Sequence, residues 1–139
     1  MKKITIGLAL VWVLTWAVSA VIKPSANTEA RISGFSPEVQ RILDRSCADC
    51  HSPHTKWPWY GNLPFANLLM SIHVRKGRSE LDFSKWDELR DRKRNKMSEE
   101  IIEEIEEGEM PPKIYLWLHS DAKLSKQDFD ALKKEFLTH

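Results

Sequence analysis

Five consecutive residues, Cys47-Ala48-Asp49-Cys50-His51, limit what this chain can fold into more than any other part of its sequence. Two cysteines separated by two residues and followed at once by a histidine form the attachment signature for c-type haem. The spacing lets both thiols reach the vinyl groups of one porphyrin edge and form thioether bonds, while the imidazole falls beneath the iron. We therefore expect one covalent haem c, held by Cys47 and Cys50, with His51 as the proximal iron ligand.

Other uses of the same residues have to be weighed. These are the only two cysteines of the chain, so they cannot crosslink distant segments. A thiol–disulfide redox pair also uses Cys-x-x-Cys, but it is typical of a βαβ setting that this sequence does not show. Zinc could be bound by both thiols with His51 and His54, although structural zinc sites normally take their ligands from separate segments.

The first 22 residues predict a targeting segment. A lysine pair precedes an almost wholly apolar stretch, and Val18-Ser19-Ala20 offers small residues where a signal peptidase could cut. The segment is either a signal peptide that ends at Ala20 or an uncut membrane anchor from Ile4 to Ile22. Because positive charge tends to stay on the cytoplasmic side, we expect export and a periplasmic or extracytoplasmic location under both interpretations.

The remainder predicts one all-α domain. Residues 23–35 are polar and are interpreted as a linker, and 36–139 have the length of one haem-binding domain with one core. Ser36-Pro37 predicts a helix start, and the last helix should begin at Ser125, with Asp128 at capping-box spacing. No stretch of useful length alternates between apolar and polar residues, as a β-strand would. The expected fold is one small helical domain.

The internal helices are predicted from apolar spacing and from residues that start or stop a helix. A second helix is expected from Phe65 to Val74 and a third is capped by Ser84. A fourth should begin at Ser98 and stop at Gly108. The last helix should bury an apolar stripe made of Phe129, Leu132 and Phe136.

The sixth iron ligand decides what a haem can do, because a thioether suits electron transfer and an open site allows small-molecule binding. Met110 is the first choice, since Pro111 and Pro112 keep it on a rigid loop. His73, near the end of the second helix, is the main alternative and would give bis-histidine ligation. His119 is a weaker candidate of the same kind.

The charge and the aromatic residues of the chain say less about its function than the cysteine motif does. The chain has 21 basic and 20 acidic residues, which gives no basic face broad enough for nucleic acid. The basic run 90–96 is interpreted as a solvated helix face. The aromatic residues Trp57, Trp59, Tyr60 and Trp86 are expected to line the haem pocket and the core.

Taken together, several motifs resemble those of the small bacterial haem-binding domain proteins, a branch of the c-type cytochromes. The matching segments are Cys47–Ser52, Trp57–Tyr60, Gly77-Arg78, Phe83-Ser84 with Trp86, Gly108–Pro111, and Tyr115 with His119, Ala122, Leu124 and Ser125. The resemblance implies a compact cytochrome fold, and the Gly-x-Met-Pro loop, shared with class I cytochromes, supports Met110 as a ligand. Two departures are a shortened loop over 61–64 and Phe136 in place of a common tryptophan.

The sequence thus predicts a mono-haem electron carrier whose partners are redox proteins, and the membrane as well if the N-terminal segment is uncut. The alternatives are a haem-based sensor with His73 or an open sixth site, and a thiol–disulfide protein using Cys47 and Cys50. We do not expect an enzyme, because no acid–base groups point to peroxidase chemistry.

Overall fold

The structure is a computed structural model that describes residues 2–25 and 32–138. The described residues form α-helices and short 3-10 helices and contain no strand, which confirms the all-α prediction. The α-helices are α1 (Lys2–Ile22), α2 (Pro37–Ser46), α3 (Ala48–His51), α4 (Pro64–Glu80), α5 (Asp91–Glu106), α6 (Lys113–Leu116) and α7 (Lys126–Leu137). The 3-10 helices are Trp59–Asn62, Phe83–Glu88 and Ser120–Ala122.

Local sequence signals set several helix ends. The hydroxyl of Ser36 accepts the backbone N–H three residues on, at 3.4 Å, and Pro37 takes the first position of α2. At the start of α7, the side chains of Ser125 and Asp128 each accept the backbone N–H of the other residue. After α5, Gly108 adopts a φ of 73°, as a helix-ending glycine often does. These three predictions are confirmed.

Two predicted starts are wrong. Ser98 lies inside α5 and is only 4% exposed, because the Arg- and Lys-rich stretch before it forms helix readily and α5 begins at Asp91. Ser84 is not a cap. Instead, the Asp82 carboxylate accepts its N–H at 3.0 Å and starts the 3-10 helix Phe83–Glu88.

The second helix is also longer than predicted. α4 starts with Pro64 at its first position and continues past Val74 to Glu80. Gly77 therefore lies within the helix and does not end it. This extension carries the last turn of α4 across α3, with which α4 is in contact.

Four aromatic rings form the centre of the core. Phe35 lies 5.4 Å from Trp86 and 5.6 Å from Phe136 between ring centroids, and Phe83 lies 6.0 Å from Trp86. Leu132 of α7 packs in the same cluster and is 1% exposed. The predicted stripe on the last helix and the core position of Trp86 are therefore confirmed.

The segment expected to be a linker takes part in this core at its end. Ile32 is 7% exposed, and Phe35 belongs to the aromatic cluster. Residues 26–31 lie outside the described residues, so the linker over 23–35 stays a prediction.

α1 packs against α4 and leaves most of its apolar side chains exposed. Within residues 2–25 and 32–138, no helix combines the length and the apolar character that a membrane crossing requires.

Candidate functional site

The two cysteines and the adjacent histidine are carried by one helical turn. α2 ends at Ser46, and the backbone N–H groups of Cys50 and His51 both donate to the carbonyl oxygen of Cys47, at 3.2 and 3.0 Å. Both thiols are free and half-buried. Cys47, at the N-cap of α3, and the short helix itself thus present two thiols and one imidazole within a single turn.

His51 is held in one orientation by the backbone. Its Nδ1 lies 3.0 Å from the carbonyl oxygen of Leu81, and because a carbonyl only accepts, Nδ1 carries the proton. Burial lowers the pKa of His51, and this outweighs the opposing effect of the Leu81 and Gly77 carbonyls, so the ring is neutral. Nε2 then carries the lone pair that a metal ion needs, and the bonded Nδ1 fixes the plane of the ring.

α4 approaches the motif backbone very closely at Gly77. A Cβ placed there would lie 2.7 Å from the carbonyl oxygen of Cys50, closer than real Cβ contacts allow. Only glycine permits this crossing. A glycine inside a helical pattern is a sequence sign of such close packing.

Arg78, the next residue, anchors the loop that follows the motif. Its Nε donates to the carbonyl oxygen of Ser52 and its Nη2 to the hydroxyl of Thr55, both at 2.8 Å. The Thr55 hydroxyl in turn donates to the backbone carbonyl of Asp49 at 2.6 Å. The Gly77-Arg78 pair therefore supports the turn formed by residues 47–51, which we name the attachment turn, through packing and through hydrogen bonds.

The side chain of Asp49 reaches a part of the chain far away in sequence. One carboxylate oxygen accepts the N–H of Lys56 at 2.8 Å, and the other accepts the hydroxyl of Tyr115 at 2.9 Å. The Tyr115 ring stacks on His119, with centroids 4.1 Å apart and planes 12° apart. No local sequence pattern predicts this contact, because Asp49 and Tyr115 are 66 positions apart.

The thiols do not resemble those of a thiol–disulfide oxidoreductase. Burial, with a smaller contribution from Cys50, raises the pKa of Cys47 to about 12. Burial and the Asp49 carboxylate raise the pKa of Cys50 to about 11. Reactive cysteines in such enzymes have lowered pKa values, so this environment disfavours that alternative.

Zinc is disfavoured on separate grounds. In the part of the chain that the structure describes, no three His, Cys, Asp or Glu residues are grouped so that they could hold a metal ion. The motif with His54 therefore does not assemble the four ligands of a structural zinc site.

Met110 lies on the loop after α5, as predicted, and is 38% exposed. Its N–H donates to the carbonyl oxygen of Glu104 at 3.1 Å. The residue borders a cavity of about 520 Å³ whose apolar lining includes Ile105, Leu116 and Phe129. None of the three motif residues is among the described residues lining this cavity, so the approach of Met110 to the iron stays a prediction.

The two histidine alternatives have different surroundings. His73 is exposed and lies within α4, several residues before its end. His119 is half-buried, with Nδ1 3.1 Å from the carbonyl oxygen of Tyr115 and Nε2 3.3 Å from the hydroxyl of Tyr60. Both nitrogens of His119 are therefore engaged.

The four aromatic residues that were expected to line the haem pocket and the core lie in different environments. Trp59 is 80% exposed and meets Tyr60 edge-on, with ring centroids 5.7 Å apart. Trp57 is half-buried beneath the ammonium group of Lys23, which lies 4.3 Å from the ring centroid. Trp86 alone of the four is a core residue.

The residues present fit a haem group. Two thiols and a neutral imidazole in one turn are the donors that haem attachment requires, and the turn is shaped by the close approach of Gly77. A family model described as a haem-binding domain matches residues 8–137. No curated protein and no solved structure matches the chain. Because the family model spans nearly the whole chain, the protein belongs to the haem-binding domain family, and its cofactor is haem.

Proposed function

We propose that the protein is an exported mono-haem c-type cytochrome that passes single electrons between redox proteins and has no enzymatic activity of its own. The observation that carries the proposal is the turn formed by Cys47 and α3, in which Cys47, Cys50 and His51 lie together. Haem, when bound, supplies the one-electron chemistry of its iron.

In this proposal Cys47 and Cys50 form the two thioether bonds. Covalent attachment suits an exported carrier because the haem cannot dissociate outside the cell interior. The raised pKa values of both thiols keep them protonated at neutral pH, in contrast to the thiolates of disulfide-exchange enzymes. Export itself is supported by the lysine pair and apolar stretch at the N-terminus.

His51 is the proximal ligand and Met110 the distal one. The Leu81 carbonyl fixes the His51 ring, which prevents rotation away from the iron. Met110 is proposed because it lies on a loop next to Pro111 and Pro112, and because this Gly-x-Met-Pro loop resembles that of class I cytochromes. A methionine sulfur raises the reduction potential and favours electron transfer over binding of external ligands.

The attachment claim is tested by producing the protein in a host with haem-attachment machinery and extracting it with acidified solvent. Haem should remain with the wild-type chain and give a c-type pyridine spectrum. The Cys47→Ala, Cys50→Ala double variant should release all of its haem. Complete extraction of haem from the wild type would refute covalent attachment.

The ligand claim is tested by two methionine variants of matched size. Met110→Leu should abolish the far-red sulfur-to-iron band of the oxidised protein and lower its reduction potential. Met97→Leu, on α5, should leave both unchanged. Retention of the band in Met110→Leu would mean that another methionine supplies the sulfur. Absence of the band from the wild type would move the sixth ligand to a histidine, and His73→Ala would then be the next variant.

A second candidate is a haem-based sensor or binding module with an open sixth position. It is favoured by the exposure of Met110 and by a neighbouring cavity whose described lining excludes the motif residues. The two functions differ in how the reduced protein reacts with carbon monoxide. Slow or absent binding supports the electron carrier, and rapid binding supports the sensor.

A further inference from the structure

Asp49 and Tyr115 connect the attachment turn to a segment 66 positions away. The hydroxyl of Tyr115 donates to Oδ2 of Asp49 at 2.9 Å, within the range of an O–H···O hydrogen bond. Asp49 lies in α3 and Tyr115 in α6. We name this contact the Asp49–Tyr115 clamp.

The Tyr115 side chain is fixed from a second direction. The His119 ring stacks on it at 4.1 Å, and His119 Nδ1 meets the carbonyl oxygen of Tyr115 at 3.1 Å. Burial and the Asp49 carboxylate raise the pKa of Tyr115 above its ordinary value, so the hydroxyl remains a donor. The clamp is therefore partly buried and pre-oriented.

The clamp matters because α6 lies between the Met110 loop and the attachment turn. α6 follows Met110 by only a few residues, and its Leu116 lines the same cavity as Met110. Its Tyr115 contacts the attachment turn. One short helix thus joins the loop that carries Met110 to the turn that carries His51. Because α6 has only four residues, it has little stability of its own and depends on such contacts.

We infer that Tyr115 is a positioning residue that acts through Asp49 to hold α6 and the Met110 loop against the haem-attachment turn, and so restricts access of external ligands to the iron. The inference rests on the haem attachment proposed above, but it does not depend on which residue is the sixth ligand.

The test uses the haem-loaded full chain and imidazole as the probe ligand. Tyr115→Phe removes the hydroxyl and keeps the ring that stacks on His119. Imidazole should then bind the oxidised protein about tenfold more tightly, since a hydrogen bond to a charged group is lost. Tyr60→Phe is the matched control, because among the described residues the Tyr60 hydroxyl bonds only to His119, at 3.3 Å. The imidazole affinity of this variant should change less than about twofold.

A double-mutant cycle separates the clamp from general destabilisation. Asp49→Ala should show at least the effect of Tyr115→Phe, because it also removes the acceptor of the Lys56 N–H. In the Asp49→Ala background, Tyr115→Phe should add little, because the contact between the two side chains is already gone. Amide hydrogen exchange should accelerate at Leu118 and His119, whose N–H groups donate to the Tyr115 carbonyl, while the α7 amides keep their protection.

Unchanged imidazole affinity and unchanged exchange in Tyr115→Phe would overturn the inference, as would equal effects of the two tyrosine variants. Loss of covalent haem from the wild type would instead refute the proposed function. In that case, the exchange comparison on the unloaded chain would still decide whether Tyr115 holds α6 against the attachment turn.

Discussion

Replacing Gly77 with alanine should destabilise the protein, although alanine is the better helix former. The new Cβ would lie 2.7 Å from the carbonyl oxygen of Cys50 and 3.3 Å from its carbonyl carbon and its Cβ. To reach ordinary van der Waals contact, α4 and α3 would have to separate by about 0.7 Å. The nearest atoms belong to the backbone of the attachment turn and cannot rotate away as a flexible side chain would.

Two opposing effects set the magnitude. Overpacking a close contact costs about 1–3 kcal/mol, and exchanging glycine for alanine inside a helix returns up to about 1 kcal/mol. We expect a net loss of about 1–2 kcal/mol in the free energy of unfolding, measured by urea titration. We also expect a lower yield of covalent haem, since the motif itself must shift.

Gly61→Ala is the matched control for this prediction. A Cβ at Gly61 would lie 3.3 Å from the sulfur of Met70, which belongs to a flexible side chain that can move aside. Its effect on stability should therefore be smaller than that of Gly77→Ala. If Gly77→Ala proves as stable as the wild type or more so, the close approach of α4 to the attachment turn is not as described.

Three further changes probe other parts of the fold. Burial alone would raise the pKa of Asp128, but hydrogen bonds from Ser125 and Arg45 and the Arg45 charge lower it below its ordinary value. The ionised carboxylate therefore stabilises the fold fully at pH values above its ordinary pKa. This stabilisation is lost as the pH falls through the lowered pKa. Asp128→Asn should cost about 1 kcal/mol at neutral pH in urea unfolding, and a cost that does not shrink in acid would contradict this assignment. Arg78→Ala should cost about 1.5–3 kcal/mol, because it leaves the Ser52 carbonyl and the Thr55 hydroxyl without their guanidinium partner. Limited proteolysis should then cut first in the loop after the motif, and unchanged protection there would argue against the anchoring role. Phe136→Ala should cost about 3–5 kcal/mol in thermal or urea unfolding, because the side chain is 5% exposed and contacts Phe35 and Trp86. A loss below about 1 kcal/mol would mean that the aromatic cluster is not tightly packed.

Short-range patterns were predicted well from the sequence. The attachment motif, the cap at Ser36 and the capping box at Ser125 each depend on residues at most four positions apart. One helical turn brings such residues together whatever the rest of the chain does. The same reasoning failed at Ser98, because a serine that can cap a helix can also be buried inside one. Packing of the surrounding helix decided between the two.

By itself, the sequence determined the close spacing of Cys47, Cys50 and His51, the all-α class and the apolar stripe of the last helix. These follow from composition and from spacing within single turns. Only the tertiary structure showed that Gly77 touches Cys50, that Leu81 orients His51 and that Tyr115 bonds to Asp49. Each of these contacts joins segments that are distant in the chain. Their geometry depends on how whole helices cross, which no local pattern encodes.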